Sequence, residues 1–335
     1  MLNYTIRRLA MAVPTVLIIS LLIFLLLDLA PGDPTAQLPL TIPPEVREDI
    51  RMALGLGDPV LIRYVKWLQL MVINEPLHAL ANLTGWNVAP DTQRILSWQT
   101  RSPVGDIIAQ RIPQTLWVVG LGYLFGVLIA LPIGIISAYK QYSWFDQIGT
   151  FISMVGFSVP VFFTGVVMIL VFSVWLGWFP SMYDTTLRVT DWDSFMRQVR
   201  QMVMPVAVLA LFNAAQISRF MRASMLDNLN QDYVRTARAK GLRENTVVMV
   251  HVLRNSMIPV VTVIALGVPA VFSGAIITET IFRVNGLGAL LINAIYASDI
   301  PMIQTLTFIF AVLIVLFNLI ADLLYGILDP RIRYD

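Results

Sequence analysis

Cysteine is absent from the 335 residues, histidine occurs twice, and only 13% of the chain is charged. Without thiols there can be no disulfides, thiolate zinc sites or iron–sulfur clusters. His78 and His251 are too few for a histidine-rich metal centre, and neither has a serine or carboxylate partner near it in sequence. No GxxxxGK[ST] phosphate loop occurs, so the chain itself cannot bind a nucleotide in the Walker manner, and no HExxH pattern occurs either. A net charge of +2 gives no reason to expect nucleic acid. Soluble domains carry about 25% charged residues, so a chain this poor in charge and 57% hydrophobic has most of its length in a non-aqueous solvent.

A helix needs about 20 apolar residues to cross a bilayer core. Six segments have that length: Leu9–Ala30, Gln114–Ala138, Ile148–Phe179, Met202–Met221, Ile258–Phe282 and Met302–Ile327. The third is too long for one straight crossing, and Pro160 is expected to kink or divide it. The first follows Arg7 and Arg8, as a signal peptide would. Its apolar run is too long for an h-region, and no small-x-small site precedes Pro31, so it reads as a retained helix. Gly156-Phe157-Ser158 and Ser273-Gly274 would suit an intramembrane serine protease, but both histidines lie outside the apolar segments and leave no base for the serine.

About half of the 23 Lys and Arg fall on one side if the N-terminus is cytoplasmic: Arg7, Arg8, Lys140, the cluster from Arg219 to Arg254, Arg331 and Arg333. The positive-inside rule then places both termini in the cytoplasm, consistent with an even number of helices. Residues 31–113 become an external cap. Pro43 and Pro44 should open a helix there, Gly55 and Gly57 should break it, and Asn74–Ser102, with Trp86 and Trp98, reads as rich in turns. That cap is either a cover folded over the helices, or a docking surface or lid over a pathway. A second external stretch has Gly286 and Gly288 ahead of a short apolar helix.

The stretch Gln231–Pro259, QDYVRTARAKGLRENTVVMVHVLRNSMIP, lies between two membrane-length segments. Tyr233–Lys240 should be helical, with Ala237 and Ala239 small enough to let another surface approach. Gly241 suits the left-handed residue that ends a helix. A second helix, Glu244–Asn255, should follow, apolar along Val247–Leu253. Two readings fit this knob: a surface gripped by a partner, or a helix pair lying on anionic headgroups.

The segment RTARAKG (Arg235–Gly241) followed by HVLRNSMIP resembles the cytoplasmic coupling loop of ABC importer permeases, in the variant of the oligopeptide/dipeptide family, B-type subunit. The resemblance extends to RRLAMAVPTVLIISLLIFLLLDLAPGDP, ITETIFRVNGLGALL and FNLIADLLYGILDPRIRY. Arg235-Thr236-Ala237 stands where the general motif has Glu-Ala-Ala, and Pro259 lies farther from Gly241 than in sugar permeases, both as in the peptide branch. It implies an all-α polytopic membrane protein of type I ABC importer permease fold. Such a fold has six transmembrane helices, with residues 1–30 the first helix and its cytoplasmic end, 31–113 the cap between helices 1 and 2, 114–327 the core and 328–335 a cytoplasmic tail. The coupling loop is 231–259, with Arg235, Thr236, Ala237, Ala239, Gly241, His251, Arg254, Asn255 and Pro259 expected to serve it. The partners implied are a second homologous permease, two ATPase subunits that bind ATP and Mg, an external solute-binding protein and the bilayer of a bacterial or archaeal plasma membrane. The chain itself would hold no cofactor and catalyse nothing. The solute would be a peptide or similar polar molecule. The other class to weigh is a secondary transporter or channel working without an ATPase.

Polar residues within apolar segments are costly in a bilayer and usually face the bundle interior or a water-filled path. Asn213 and Gln216, three apart on one helix face, with Ser273 and Thr278, are pathway candidates. Glu279 is expected to brace the outer end through Arg283, and Asp322 to pair with Arg219 or Arg222 near the inner end.

Overall fold

The computed structural model describes residues 2–29, 43–53, 57–85, 92–273 and 275–328. Among these the regular structure is helical, apart from one antiparallel bridge between Leu96 and Pro103. The helices are α1 (Leu2–Asp28), α2 (Pro44–Ala53), α3 (Val60–Gln69), α4 (Glu75–Thr84), α5 (Val104–Thr115), α6 (Leu121–Tyr139), α7 (Trp144–Ser158) and α8 (Val161–Met168). There follow α9 (Trp192–Leu229), α10 (Asp232–Ala239), α11 (Glu244–Thr246), α12 (Leu253–Ser273), α13 (Ile276–Phe282), α14 (Leu287–Tyr296) and α15 (Ile300–Leu328). Widened π-helical turns at Leu70–Asn74, Leu116–Gly120 and Val247–Val252 carry α3 into α4, α5 into α6 and α11 into α12 without a break.

Five helical runs are long and apolar enough to cross a membrane: Thr5–Asp28, Val104–Tyr139, Trp192–Leu229, Glu244–Val271 and Ile300–Leu324. Two shorter apolar runs, Trp144–Ser158 and Val161–Trp175, meet at 103° and make a sixth crossing if the pair is one broken span. The break has a local cause. A residue before proline is pushed out of the helical region, and Val159, ahead of Pro160, is extended at φ −81° and ψ 125°. Large apolar side chains such as Val13, Ile18 and Leu26 are exposed along α1, the surface a bilayer covers in a spanning helix.

Two expected boundaries move. The fifth run starts at Glu244 instead of Ile258, so the second short helix of the basic loop is the first part of a spanning helix. That run ends at Ser273, and α13 is a separate piece, where one helix to Phe282 was expected. In the cap region α2 begins at Pro44 as predicted, whereas the stretch after Asn74 stays helical to Thr84, where Gly85 takes the left-handed φ of 71°. Gly55, Trp86, Gly274, Pro31 and the tail with Arg331 and Arg333 lie outside the described residues.

The chain divides into two compact units. The first comprises Met1–Leu9, Gln114–Ala289 and Leu316–Asp335. Its centre is the contact of α6 with α9, made through a stripe of small residues four apart: Gly122, Gly126, Ala130, Gly134 and Ala138. A Cβ at Gly122, Gly126 or Gly134 would come within 2.6, 2.7 or 2.6 Å of Leu209, Asn213 or Met221, so only glycine permits this approach. In lipid, helices gain nothing from hiding apolar surface from water, and such close backbone packing is what joins them. Ser153 and Ser218 add a hydrogen bond of 3.2 Å between α7 and α9. The α9 N-terminus is closed by a capping box in which Asp191 accepts from the Ser194 N–H at 2.8 Å, a bond that holds the Asp191 carboxyl below the usual carboxylate range.

The second unit comprises Ala10–Pro113 and Leu290–Val315. Phe24 of α1 packs its ring against Tyr64 and Trp67 of α3, and Trp67 meets Phe308 of α15 edge-on at 5.4 Å. Arg63 pairs with Asp28. Arg94 bridges Glu75 and Asp106 at 3.0 and 2.8 Å. Buried Asp299 fastens the loop at Ser97 and Trp98, accepting the Ser97 hydroxyl and the Trp98 N–H.

Candidate functional site

Within the first unit, α9 ends at Leu229, and the chain turns into α10, where the Tyr233 hydroxyl donates to Asn228 at 2.8 Å. The sequence of α10, DYVRTARA, places Val234 and Ala237 three apart on one face. Both are buried, against Met221 and Met225 of α9, Ala138 of α6 and the Val247, Val248 and Val252 turn that leads into α12. Arg235, Thr236, Arg238 and Ala239 are exposed on the other faces. The helix stops in a Schellman motif: Leu242 N–H reaches the Ala237 carbonyl, Gly241 N–H reaches that of Arg238, and Gly241 has φ 76°. Arg238 then grips Glu244 with two bonds, at 3.2 and 2.7 Å, and so ties α10 to the start of the next helix.

Of the residues expected to serve this loop, Arg235, Thr236, Ala239 and Gly241 are outward. Ala237 is not: its small side chain lets α10 seat on its own chain, where an approach by a partner was expected. His251 is half-buried, and Arg254 and Asn255 are exposed, all three on the continuous run into α12. Pro259 lies inside α12 and does not end the element.

At the other end of α9 is a polar knot. Glu279 of α13 is fully buried. Its Oε1 accepts the Thr115 hydroxyl at 3.1 Å, and its Oε2 accepts the Ala289 N–H at 2.8 Å. Thr115 Oγ1 accepts the Leu287 N–H at 2.7 Å, and Gln114 Oε1 accepts that of Asn285 at 3.1 Å. Gly286 and Gly288 make room for it: a Cβ at Gly286 would land on Glu279 and Thr115, and one at Gly288 would sit 3.0 Å from Glu279 Oε2. The expected partner differs. Among the described residues no ion pair joins Glu279 to Arg283, which is exposed in the left-handed conformation at φ 54°.

Asp322 also takes another partner, Arg8 of α1, at 2.8 Å. Arg222 is bound instead by Asp146 at 2.6 and 2.8 Å, and Arg219 lies over the Phe157 ring at 5.4 Å. Asp146 escaped the sequence reading, although Ser143-x-x-Asp146 is a helix-start signal: Ser143 accepts the Asp146 N–H as the cap of α7. The four-residue stripe on α6 was equally visible and equally unread.

The pathway candidates separate. Asn213 is half-buried facing Gly126, with its amide donating to the Leu209 carbonyl at 2.8 Å, while Gln216 is exposed. Thr278 is buried. Ser273 is the last residue of α12, and its side chain lies outside the described part. Among the described residues no group of three or more His, Asp or Glu is placed to hold a metal ion.

Residues 130–334 match the family model described as "Binding-protein-dependent transport system inner membrane component", and residues 1–119 match its N-terminal companion. The oligopeptide transport system permease protein AppB of Bacillus subtilis is 39% identical over 335 residues, covering 100% of both chains. The glutathione transport system permease protein GsiC of Escherichia coli O6:H1 is 37% identical over 338 residues, again covering 100% of both. A putative peptide transport system permease of Brucella abortus is 36% identical over 331 residues, covering 98% of each. Among solved structures, an amino acid ABC transporter crystallised with histidines is similar in fold, with a TM-score of 0.51 at 13% identity, over 66% of this chain and 93% of that one.

Proposed function

Because the chain belongs to the inner membrane component family of binding-protein-dependent transport systems, and is the permease subunit of an ABC importer, we propose that α10 with the start of the α11–α12 run is its coupling element. One observation carries this reading. α10 is seated on α6, α9 and α12 by buried Val234 and Ala237, yet it presents Arg235, Thr236 and Ala239 outward. A body that grips α10 therefore moves three core helices with it. The energy for the movement must come from a partner that binds the two conformations unequally, as ATP does through its ATPase subunits.

In this reading α10 faces the cytoplasm, both termini lie there, and residues 31–113 form the external cap. The working importer adds a second homologous permease, two ATPase subunits holding ATP and Mg, and an external solute-binding protein. Among the described pathway candidates Gln216 is exposed, and Glu279 braces the far end. Three relatives carry peptide or glutathione names, which supports short peptides or peptide-like solutes as cargo. Transport without an ATPase, the other class open to the sequence, is set aside by family membership.

Gly241→Pro tests the coupling element. Proline is locked near φ −65°, whereas this position is at 76°, so the Schellman end cannot form. The variant should insert at wild-type level but no longer bring down ATPase subunits in mild detergent, as read by mass spectrometry. An intact complex with normal ATPase stimulation would overturn the assignment. Recovery of wild-type chain alone, still moving solute in liposomes without ATP, would overturn the importer assembly.

A further inference from the structure

The second unit carries a pocket of about 480 Å³, lined by residues of the 97–100 loop, α5, α14 and the start of α15. No residue of α6, α9, α10 or α12 takes part. Among its lining are Gln99, Arg111, Asn293, Tyr296 and Asp299.

Arg111 is the informative one. The half-buried arginines of the described chain are Arg8, Arg63, Arg94, Arg111 and Arg222. Four of them meet a carboxylate: Arg8 meets Asp322, Arg63 meets Asp28, Arg94 meets Glu75 and Asp106, and Arg222 meets Asp146. Among the described residues, Arg111 meets none. Asp299 shares the pocket, but its oxygens are occupied by the Ser97 hydroxyl and the N–H groups of Trp98 and Met302. A partly desolvated guanidinium without a counter-charge is costly, and its planar fork fits a carboxylate in two-point contact. The exposed amides of Gln99 and Asn293 supply further hydrogen bonds. A dianion would meet the charge of Asp299, so a single carboxylate is the better match. The volume lies within the range of small-molecule sites, about 300–1,000 Å³.

We infer that this pocket binds a carboxylate group, gripped by Arg111 and completed by the amides of Gln99 and Asn293. The group is the C-terminal carboxylate of a small peptide-like solute, an assignment that rests on the reading of the chain as part of an importer of such solutes. Nothing in this inference depends on the coupling assignment.

The test uses the complete importer in lipid nanodiscs, with N-acetyl-dialanine as the free acid and as the C-terminal amide, followed by saturation-transfer NMR. Saturable binding of the acid, at least about tenfold weaker binding of the amide, and a similar loss in Arg111→Gln but a smaller one in Arg111→Lys would establish the site for a solute carboxylate. If neither peptide binds, but Arg111→Gln weakens docking of the binding protein at least about tenfold and Arg111→Lys does so less, the solute assignment is overturned and Arg111 serves protein docking instead. Acid and amide binding alike, or acid binding indifferent to Arg111→Gln, would overturn the inference. Should Arg111→Gln fail to assemble, Asn293→Leu on the exposed face of α14 replaces it, with weaker acid binding expected and unchanged binding overturning the proposal.

Discussion

Val234 and Glu279 are both fully buried, at opposite ends of α9, and they hold their surroundings by opposite physics. Around Val234 the contact is apolar, made by Met221, Met225, Val247 and Val252, and polar bonds such as Arg238 to Glu244 lie at its rim. Such contacts depend on area and not on direction, so the seat of α10 can adjust slightly as it moves with α6, α9 and α12 without stranding a buried polar group. Around Glu279 nearly everything is directional. A hydroxyl and a backbone N–H converge on one carboxylate, and each broken bond would strand a buried polar group. The first joint suits an element that must be pushed, the second a loop that must stay where it is.

The largest effect should come from breaking the polar joint. Glu279→Ala leaves the Ala289 N–H and the Thr115 hydroxyl without their acceptor, a loss of about 3 kcal/mol. Thermal unfolding in detergent would read it as a clear drop in melting temperature. Glu279→Gln should lose far less, since its amide still offers an acceptor, and equal losses for the two would refute the hydrogen-bond account. Val234→Ala comes next, at about 2 kcal/mol, from lost burial and a small cavity. Coupling in that variant should weaken gradually with stability, and a full loss of ATPase stimulation at wild-type stability would show that Val234 touches the partner. Smallest in stability is Arg235→Glu on the exposed face, within about 0.5 kcal/mol. Its ATPase stimulation should nevertheless fall several-fold, and unchanged stimulation would remove Arg235 from the docking surface.

Much of this arrangement was legible beforehand, and the parts that were not share a cause. Apolar length alone located the five long runs and the bent pair, and Pro160 located the bend, because both follow from local chemistry. Gly241 could be placed as a helix end because a left-handed residue is a local requirement. Partners could not be placed in the same way. Charge and depth point Asp322 toward Arg219 or Arg222, but do not say which helix stands alongside, and that helix is α1. Ala237 looked like an opening for a partner because its size was visible and its direction was not. The inward turn depends on Val247 and Val252, and these were misread as a separate short helix. Glu279 was matched to the nearest cation in sequence, whereas its true partners lie on α5 and at the start of α14.

The bond between Arg8 and Asp322 joins α1 to α15, the first and last of the described helices. The two residues are far apart in sequence, so this contact cannot form until α15 has been synthesised. Its formation marks the moment when α15 has entered the membrane beside α1. A truncated chain lacking α15 would retain the small-residue stripe and the α10 seat but never this closure, which makes the pair a structural record that α15 has docked beside α1.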